Sequence, residues 1–245
     1  VQQAKRILAV LALATSVGAL AGPGFGQNRN LTLLGIPSAT VAPAGVGYVA
    51  LSGTRRSPMN ARTDGSLELG LGLGNAETGV GVQGKAVVTS LTDDFGDSGY
   101  LGVKLSRRVA TGQVPVYAGV EVENLAAWGE SSDNDPSVSA MVTGFAAIPS
   151  GGGQMPVMFT LGAGSHLRDG GTQPGLFAGV GAGFTRHLGG SVAWTGEALS
   201  LGVSLRPPGD APVVMNLTLD DATDRLEQQR VSVSVAWIFA KGGTP

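Results

Sequence analysis

The chain has 245 residues, of which 40 are glycine; Asp, Glu, Lys and Arg together make up only 14%, and cysteine is absent. A soluble domain carries roughly 25% charged residues, so this composition fits poorly with an exterior wholly bathed in water. The formal net charge of −2 gives no footing for a nucleic-acid partner. The lack of cysteine excludes disulfides, thiolate chemistry and zinc–cysteine sites.

In chain order, Lys5 and Arg6 precede an apolar run from Ile7 to Ala14, and Ala19-Leu20-Ala21 forms a small-residue cleavage site. Basic, apolar and small-residue parts in that order are a secretory signal, so residues 1–21 are expected to be removed before Gly22. The apolar stretch is shorter than the roughly 20 residues a membrane-spanning helix needs. Residues 22–45 form an N-terminal extension, of which Gln27–Gly45, with Pro37 and Pro43, is a candidate lumen plug; the alternative is a lumen left open and widened by its glycine lining.

From residue 46 onward no long helix is predicted, since glycine in a helix costs about 1 kcal/mol relative to alanine. Apolar residues instead alternate with small or polar ones at period two, as a strand with two unlike faces requires. The alternation predicts twelve strands, over 46–53, 66–74, 80–89, 100–108, 116–124, 137–145, 157–164, 176–185, 191–195, 199–206, 213–220 and 230–239. In the clearest, Leu67, Leu69, Leu71 and Leu73 share one face, and Glu68, Gly70, Gly72 and Gly74 the other. Most runs approach the roughly 9–11 residues a tilted strand needs to cross a bilayer.

The connections alternate too. Residues 55–65, 91–98, 126–136, 166–174 and 221–229 are long (Gly196-Glu197 is the exception), whereas 75–79, 109–114 and 186–189 are shorter. Short turns at one end and long loops at the other describe an outer-membrane barrel. The expected fold is therefore all-β: an antiparallel up-and-down transmembrane barrel over 46–239, with residues 240–245 as a tail.

Charge segregates by face. Glu68, Lys85, Lys104, Arg108, Glu121, Glu123, Arg206, Asp220 and Arg230 fall on the polar face, and only Arg107 falls on the apolar one, near a strand end. A lipid-facing row rejects charge because an Arg or Lys at the bilayer midplane costs roughly 2–4 kcal/mol. A dry core rejects it as well. The polar face discriminates, because in Phe177, Gly179, Gly181, Gly183 and Thr185 it is mostly small and neutral, suiting a confined interior. Aromatic residues are sparse at 5%, and Tyr48, Trp128, Trp194 and Trp237 are the candidates for interfacial belts.

Symmetric hairpins would set Glu68 opposite Lys85, Lys85 opposite Lys104, and Lys104 opposite Glu121. Glu123 and Arg108 would then lie at neighbouring levels. These six residues are the pore-lining candidates. Rings of charged side chains act as solute filters; a mixed-sign network that merely stiffens the wall is the alternative.

The last strand, Val231-Ser-Val-Ser-Val-Ala-Trp237-Ile-Phe239, resembles the C-terminal assembly signal of Gram-negative outer-membrane proteins, although six residues follow Phe239. The segment Leu34-Gly-Ile-Pro-Ser-Ala-Thr-Val-Ala-Pro-Ala-Gly45 resembles the N-terminus of some exopolysaccharide-associated outer-membrane barrels. The first resemblance implies insertion by the outer-membrane assembly machinery.

No catalytic residue is assigned. His166 and His187 are the only histidines, and they are placed at opposite ends. Ser165-His166 opens an external loop, but neighbouring strand residues point to opposite faces, which separates a nucleophile from its base. The acidic runs at Asp93-Asp94 to Asp97, Glu130 to Asp135 and Asp220-Asp221 to Asp224 lack EF-hand spacing, and no cofactor or metal is expected. The sequence points to an outer-membrane barrel, either a passive small-solute channel or a structural component. Outer-membrane lipid and lipopolysaccharide are its partners, and a homo-oligomer remains open. A secreted or periplasmic soluble β-protein, and a lipid-modifying enzyme centred on His166, are the alternatives.

Overall fold

A computed structural model describes residues 29–56, 64–91, 94–151, 153–209 and 211–240. The signal at 1–21, the first part of the extension and residues 241–245 lie outside the described residues.

Among the described residues twelve strands close into one antiparallel barrel. They are β1 (Val46–Arg56), β2 (Asp64–Gly74), β3 (Gly81–Val88), β4 (Gly99–Ala110), β5 (Val116–Trp128), β6 (Ser137–Ser150), β7 (Gly153–Arg168), β8 (Gln173–Gly183), β9 (Leu188–Trp194), β10 (Leu199–Leu205), β11 (Val213–Asp220) and β12 (Arg230–Ala240). Each strand pairs with its sequence neighbours, and β12 closes on β1 from Val46↔Ala240 to Arg56↔Arg230. Ala240, expected in the tail, is thus the last paired residue. Closure leaves no unpaired edge, which is the condition for a sheet to cross hydrocarbon.

The period-two pattern decides which way each row faces. Leu69, Leu71 and Leu73 on β2, Val103 and Leu105 on β4, Leu201, Val203 and Leu205 on β10, and Val231, Val233 and Val235 on β12 are all exposed on the outer wall. Their alternating neighbours Glu68, Lys104, Ser106, Ser200, Ser204, Ser232 and Ser234 are buried inside. An aliphatic exterior around a polar interior is the inverse of a water-soluble globule and marks a transmembrane barrel of the outer membrane. The soluble alternative is overturned by this arrangement.

Of the four belt candidates, Trp194 and Trp237 face outward, joined by Phe159, Phe184 and Phe239. Tyr48 does not belong to a belt: it is 0% exposed and lies inside the barrel. It shares β1 parity with Ala50 and Ser52, which face inward, so its position follows from the alternation. Trp128 is tied to a loop instead, its indole N–H donating to the Gly96 carbonyl at 2.8 Å.

Both ends of the barrel chain lie at one rim, together with the β2–β3, β4–β5, β8–β9 and β10–β11 connections. The opposite rim carries the β3–β4, β5–β6, β7–β8, β9–β10 and β11–β12 connections. By the usual asymmetry of such barrels the first rim is periplasmic and the second external.

Candidate functional site

The inner wall gathers its charge on β2 to β5. The ladder sets Lys104 directly opposite Glu121, as the hairpin symmetry predicts. The other two expected pairings are displaced by two residues: Glu68 faces Val87, Lys85 faces Gly102, and Gln83 faces Lys104. The cause lies in the turns. Asn75 accepts the Glu77 amide on its side-chain oxygen at 2.8 Å and the β2–β3 ladder closes at Gly74↔Gly81, which sets the register. A slip of two leaves every side chain on its face, whereas a slip of one would have inverted them.

The charged groups meet despite the slip because long side chains reach past their cross-strand partners. Lys85 crosses over Gly102, where an added Cβ would sit 2.6 Å from the lysine Cε. Its ammonium then donates to Glu121 Oε1 at 2.9 Å and to Glu123. Lys104 lies 3.3 Å from the other oxygen of Glu121. Glu121 therefore bridges two lysines, as a carboxylate with two acceptor oxygens is suited to do.

Glu68 is held differently. The Tyr48 hydroxyl donates to Glu68 Oε1 at 2.5 Å, and Gln83 donates to that hydroxyl at 3.0 Å. Glu68, Lys104 and Glu121 are buried, and Glu123 is half-buried. Arg108 stands apart, near the periplasmic rim, 3.7 Å from Glu77 of the β2–β3 turn. The structure thus brings together five of the six candidates and adds Tyr48, Gln83 and Gly102. Parity along β1 and β3 places Tyr48 and Gln83 on the polar face, a signal visible in the sequence. The need for Gly102 becomes visible only once Lys85 is seen to cross it.

Much of the rest of the inner wall is lined by hydroxyls and glycine, beside an apolar patch that includes Tyr117, Phe145 and Phe177. Ser52 bonds Ser66 at 2.5 Å, Thr54 bonds Ser232 at 2.9 Å, and Ser200 donates to Asp220 at 2.7 Å. Small residues on the β8–β10 side leave room, and chain from the N-terminal extension occupies it. The Asn30 amide donates to the Thr185 carbonyl at the periplasmic rim. Residues 31–34 then run along the inner wall, so close that a Cβ on Gly181 would lie 1.7 Å from the Thr32 carbonyl oxygen. The segment turns at Gly35, whose φ is +86°. It crosses to β4–β6, where the Ala39 amide donates to Thr143 Oγ1 at 2.8 Å and Ser106 donates to the Ala39 carbonyl. It returns along β3 and β2, with the Ala42 amide on Gln83 Oε1 at 2.8 Å and Gly45 bonded to Gly72. Leu31, Leu33, Leu34, Ile36 and Val41 are buried in this course, with Leu31, Leu33 and Ile36 in one cluster with Tyr117, Phe145 and Phe177.

At the external end of β7 a bulge brings Ser165 and His166 together. The ladder jumps from Gly164↔Gly175 to Arg168↔Gln173, and Ser165 Oγ lies 2.7 Å from His166 Nδ1. The expectation that adjacent residues must point apart fails here, because a bulge breaks the alternation on which it rests. Ser165 Oγ also accepts the Val138 amide at 3.0 Å, taking the place of a ladder carbonyl. His187 is at the opposite rim, its Nδ1 3.0 Å from the Arg206 carbonyl. Among the described residues no group of three or more His, Cys, Asp or Glu could hold a metal ion. Asp221, in one of the acidic runs, accepts the amides of Arg225, Leu226 and Gln228.

No family model matches the chain, and no curated protein matches it. Among solved structures the chain is similar to a KdgM porin in complex with disordered oligogalacturonate, with 13% identity over 78% of this chain and 99% of that one and a TM-score of 0.52. A second KdgM porin structure gives 12% identity, the same coverage and a TM-score of 0.52. The Acinetobacter baumannii outer-membrane protein Omp33 gives 11% identity over 79% and 97% of the two chains, with a TM-score of 0.48. At such identities the KdgM likeness is one of fold: the chain shares the closed-barrel architecture of these porins.

Proposed function

We propose that the protein is a passive channel for small polar solutes, with Glu68, Lys85, Lys104, Glu121 and Glu123 as its charged filter and residues 30–42 as a plug in the same lumen. The observation that carries this reading is the collection of five ionisable side chains on one stretch of the inner wall. Three glutamates against two lysines leave the filter with one net negative charge, so cations and neutral solutes are favoured over anions. The porin-like fold supports a channel. Planar-bilayer recording tests it: wild type should conduct with a modest cation preference, and Lys104→Glu should strengthen that preference. A reversal potential unchanged by the substitution would take the filter away from these residues.

A second reading, a sealed structural barrel, draws on one observation: the aliphatic side chains of residues 31–41 are buried in the lumen. It predicts no conductance from wild type. Insertion by the outer-membrane assembly machinery is part of either reading, on the strength of a terminal strand ending in Trp237-Ile-Phe239. Self-association of barrels is compatible with both. No reaction is assigned to Ser165 and His166, since the serine oxygen already substitutes for a backbone acceptor of Val138.

A further inference from the structure

We infer that residues 30–42 are a gate that withdraws from the lumen through the periplasmic rim, turning about Pro43–Gly45; this rests on the channel reading above. Four features of the seating point to it. The segment enters and leaves at one rim, with Asn30 against Thr185 of the β8–β9 connection and Gly45 against Gly72 near the end of β2. It can therefore come out as a loop, with no threading of the barrel.

The strand ladder closes without it. All twelve strands are paired to each other, and β1 closes on β12 directly. Between its ends the segment adds no strand to the sheet. Leu34 donates to Ser191 Oγ, Ala39 donates to Thr143 Oγ1 and accepts from Ser106, and Ala42 donates to Gln83 Oε1, all bonds to wall side chains that water could replace.

The floor under the segment is glycine-rich, with no wall Cβ at several of its closest contacts. Added Cβ atoms on Gly72, Gly181 and Gly189 would lie 2.1, 1.7 and 2.0 Å from its carbonyl oxygens. Main chain thus rests directly on glycine at those points, and the side chains of Thr32, Leu33, Leu34 and Ile36 occupy the space left by Gly189, Gly179 and Gly202. Finally, a turn is already built at the base: Gly45 has φ +78°, and the Val46 amide bonds the Pro43 carbonyl at 3.0 Å. Seated, the segment buries five aliphatic side chains; withdrawn, it regains the conformational freedom of thirteen residues, an opposing contribution of comparable kind.

The absence of native cysteine allows a clean lock. A Cβ on Gly119 would lie 3.1 Å from that of Ala39, close enough to the roughly 3.8 Å of a disulfide for a small adjustment to complete it. The full-length Ala39→Cys/Gly119→Cys protein is recorded in planar bilayers oxidised and then reduced, beside a variant lacking residues 30–42. Ser52→Cys/Ser66→Cys, which links wall to wall, serves as the disulfide control. Heat-modifiable gel migration shows that each variant has folded. The expected result is loss of current in the oxidised lock, recovery on reduction, an unaffected control and persistent opening of the deletion variant. Equal current from the oxidised and reduced lock overturns the gate. Conduction by the deletion variant alone, with wild type and reduced lock silent, also overturns withdrawal and leaves a fixed plug. If folded wild type and deletion variant are both silent, the channel reading fails and the gate with it.

Discussion

Gln83 joins the lumenal segment to the charged cluster: its Oε1 accepts the Ala42 amide at 2.8 Å while its Nε2 donates to the Tyr48 hydroxyl at 3.0 Å. Through Tyr48 the link continues to Glu68. A leucine at this position would leave the Ala42 amide without its acceptor, and a buried unsatisfied polar group costs about 1–3 kcal/mol. Gln83→Leu should therefore loosen residues 39–42 while leaving the barrel closed. The check is limited proteolysis from the periplasmic side in oriented vesicles, with faster cutting in the segment and an intact β-barrel core.

Lys85 is the hub of the cluster, reaching both Glu121 and Glu123. Removing one partner of a buried ionic network strands the others, at a cost of roughly 3–5 kcal/mol. Lys85→Met should lower unfolding stability in urea by that order, and Lys85→Met/Glu121→Gln should recover part of the loss. Gly102→Val should imitate the single substitution without touching a charge, because the added side chain obstructs the path of Lys85 across β4.

The two faces of β2 predict opposite tolerances. Leu71 is 48% exposed to the outside, so Leu71→Ala should cost little, whereas Leu71→Arg should cost roughly 2–4 kcal/mol if the residue lies near the midplane. Gly70 is directly opposite Tyr48, and an added Cβ would come within 2.2 Å of the tyrosine ring. Gly70→Ala, a single methyl, should be the more damaging of the two alanine changes. Equilibrium unfolding from lipid vesicles gives the ranking.

Asp221 organises the external β11–β12 connection by accepting three backbone amides at 2.8, 2.9 and 3.3 Å. Asp221→Ala should release this loop, and external protease should cut within 221–229 faster than in wild type, with no change in conductance.

The alternation of side chains was enough to read all twelve strands and the direction each face takes, because lipid on one side and a polar lumen on the other impose the same period. Register was less legible. It is set by turn geometry, as at Asn75, and a slip of two such as the one at Glu68 leaves the facial pattern unchanged. Lys104↔Glu121 is legible because the ladder keeps one register from Val103↔Val122 to Arg108↔Tyr117, although it shifts on either side of that stretch. Tyr48 is a misleading belt candidate because β1 is weakly patterned, although its parity with Ala50 and Ser52 points inward. The course of residues 30–42 was not legible: the segment has no period, and its contacts are with glycines in distant strands. The Ser165–His166 contact was hidden for a related reason, since a bulge has no signature in a pattern of alternation.

Acyl chains, rather than water or protein, touch the leucine and valine rows, and neighbouring positions on β10 test this contact most directly. Val203 is exposed outside, while Ser204 is buried inside and lies against Asn30. In this cysteine-free chain a single fluorescent label can be placed at either position and challenged with brominated acyl chains. Strong quenching at 203 and little at 204 is the predicted result. Quenching at 204 with protection at 203 would contradict the assignment of the two faces.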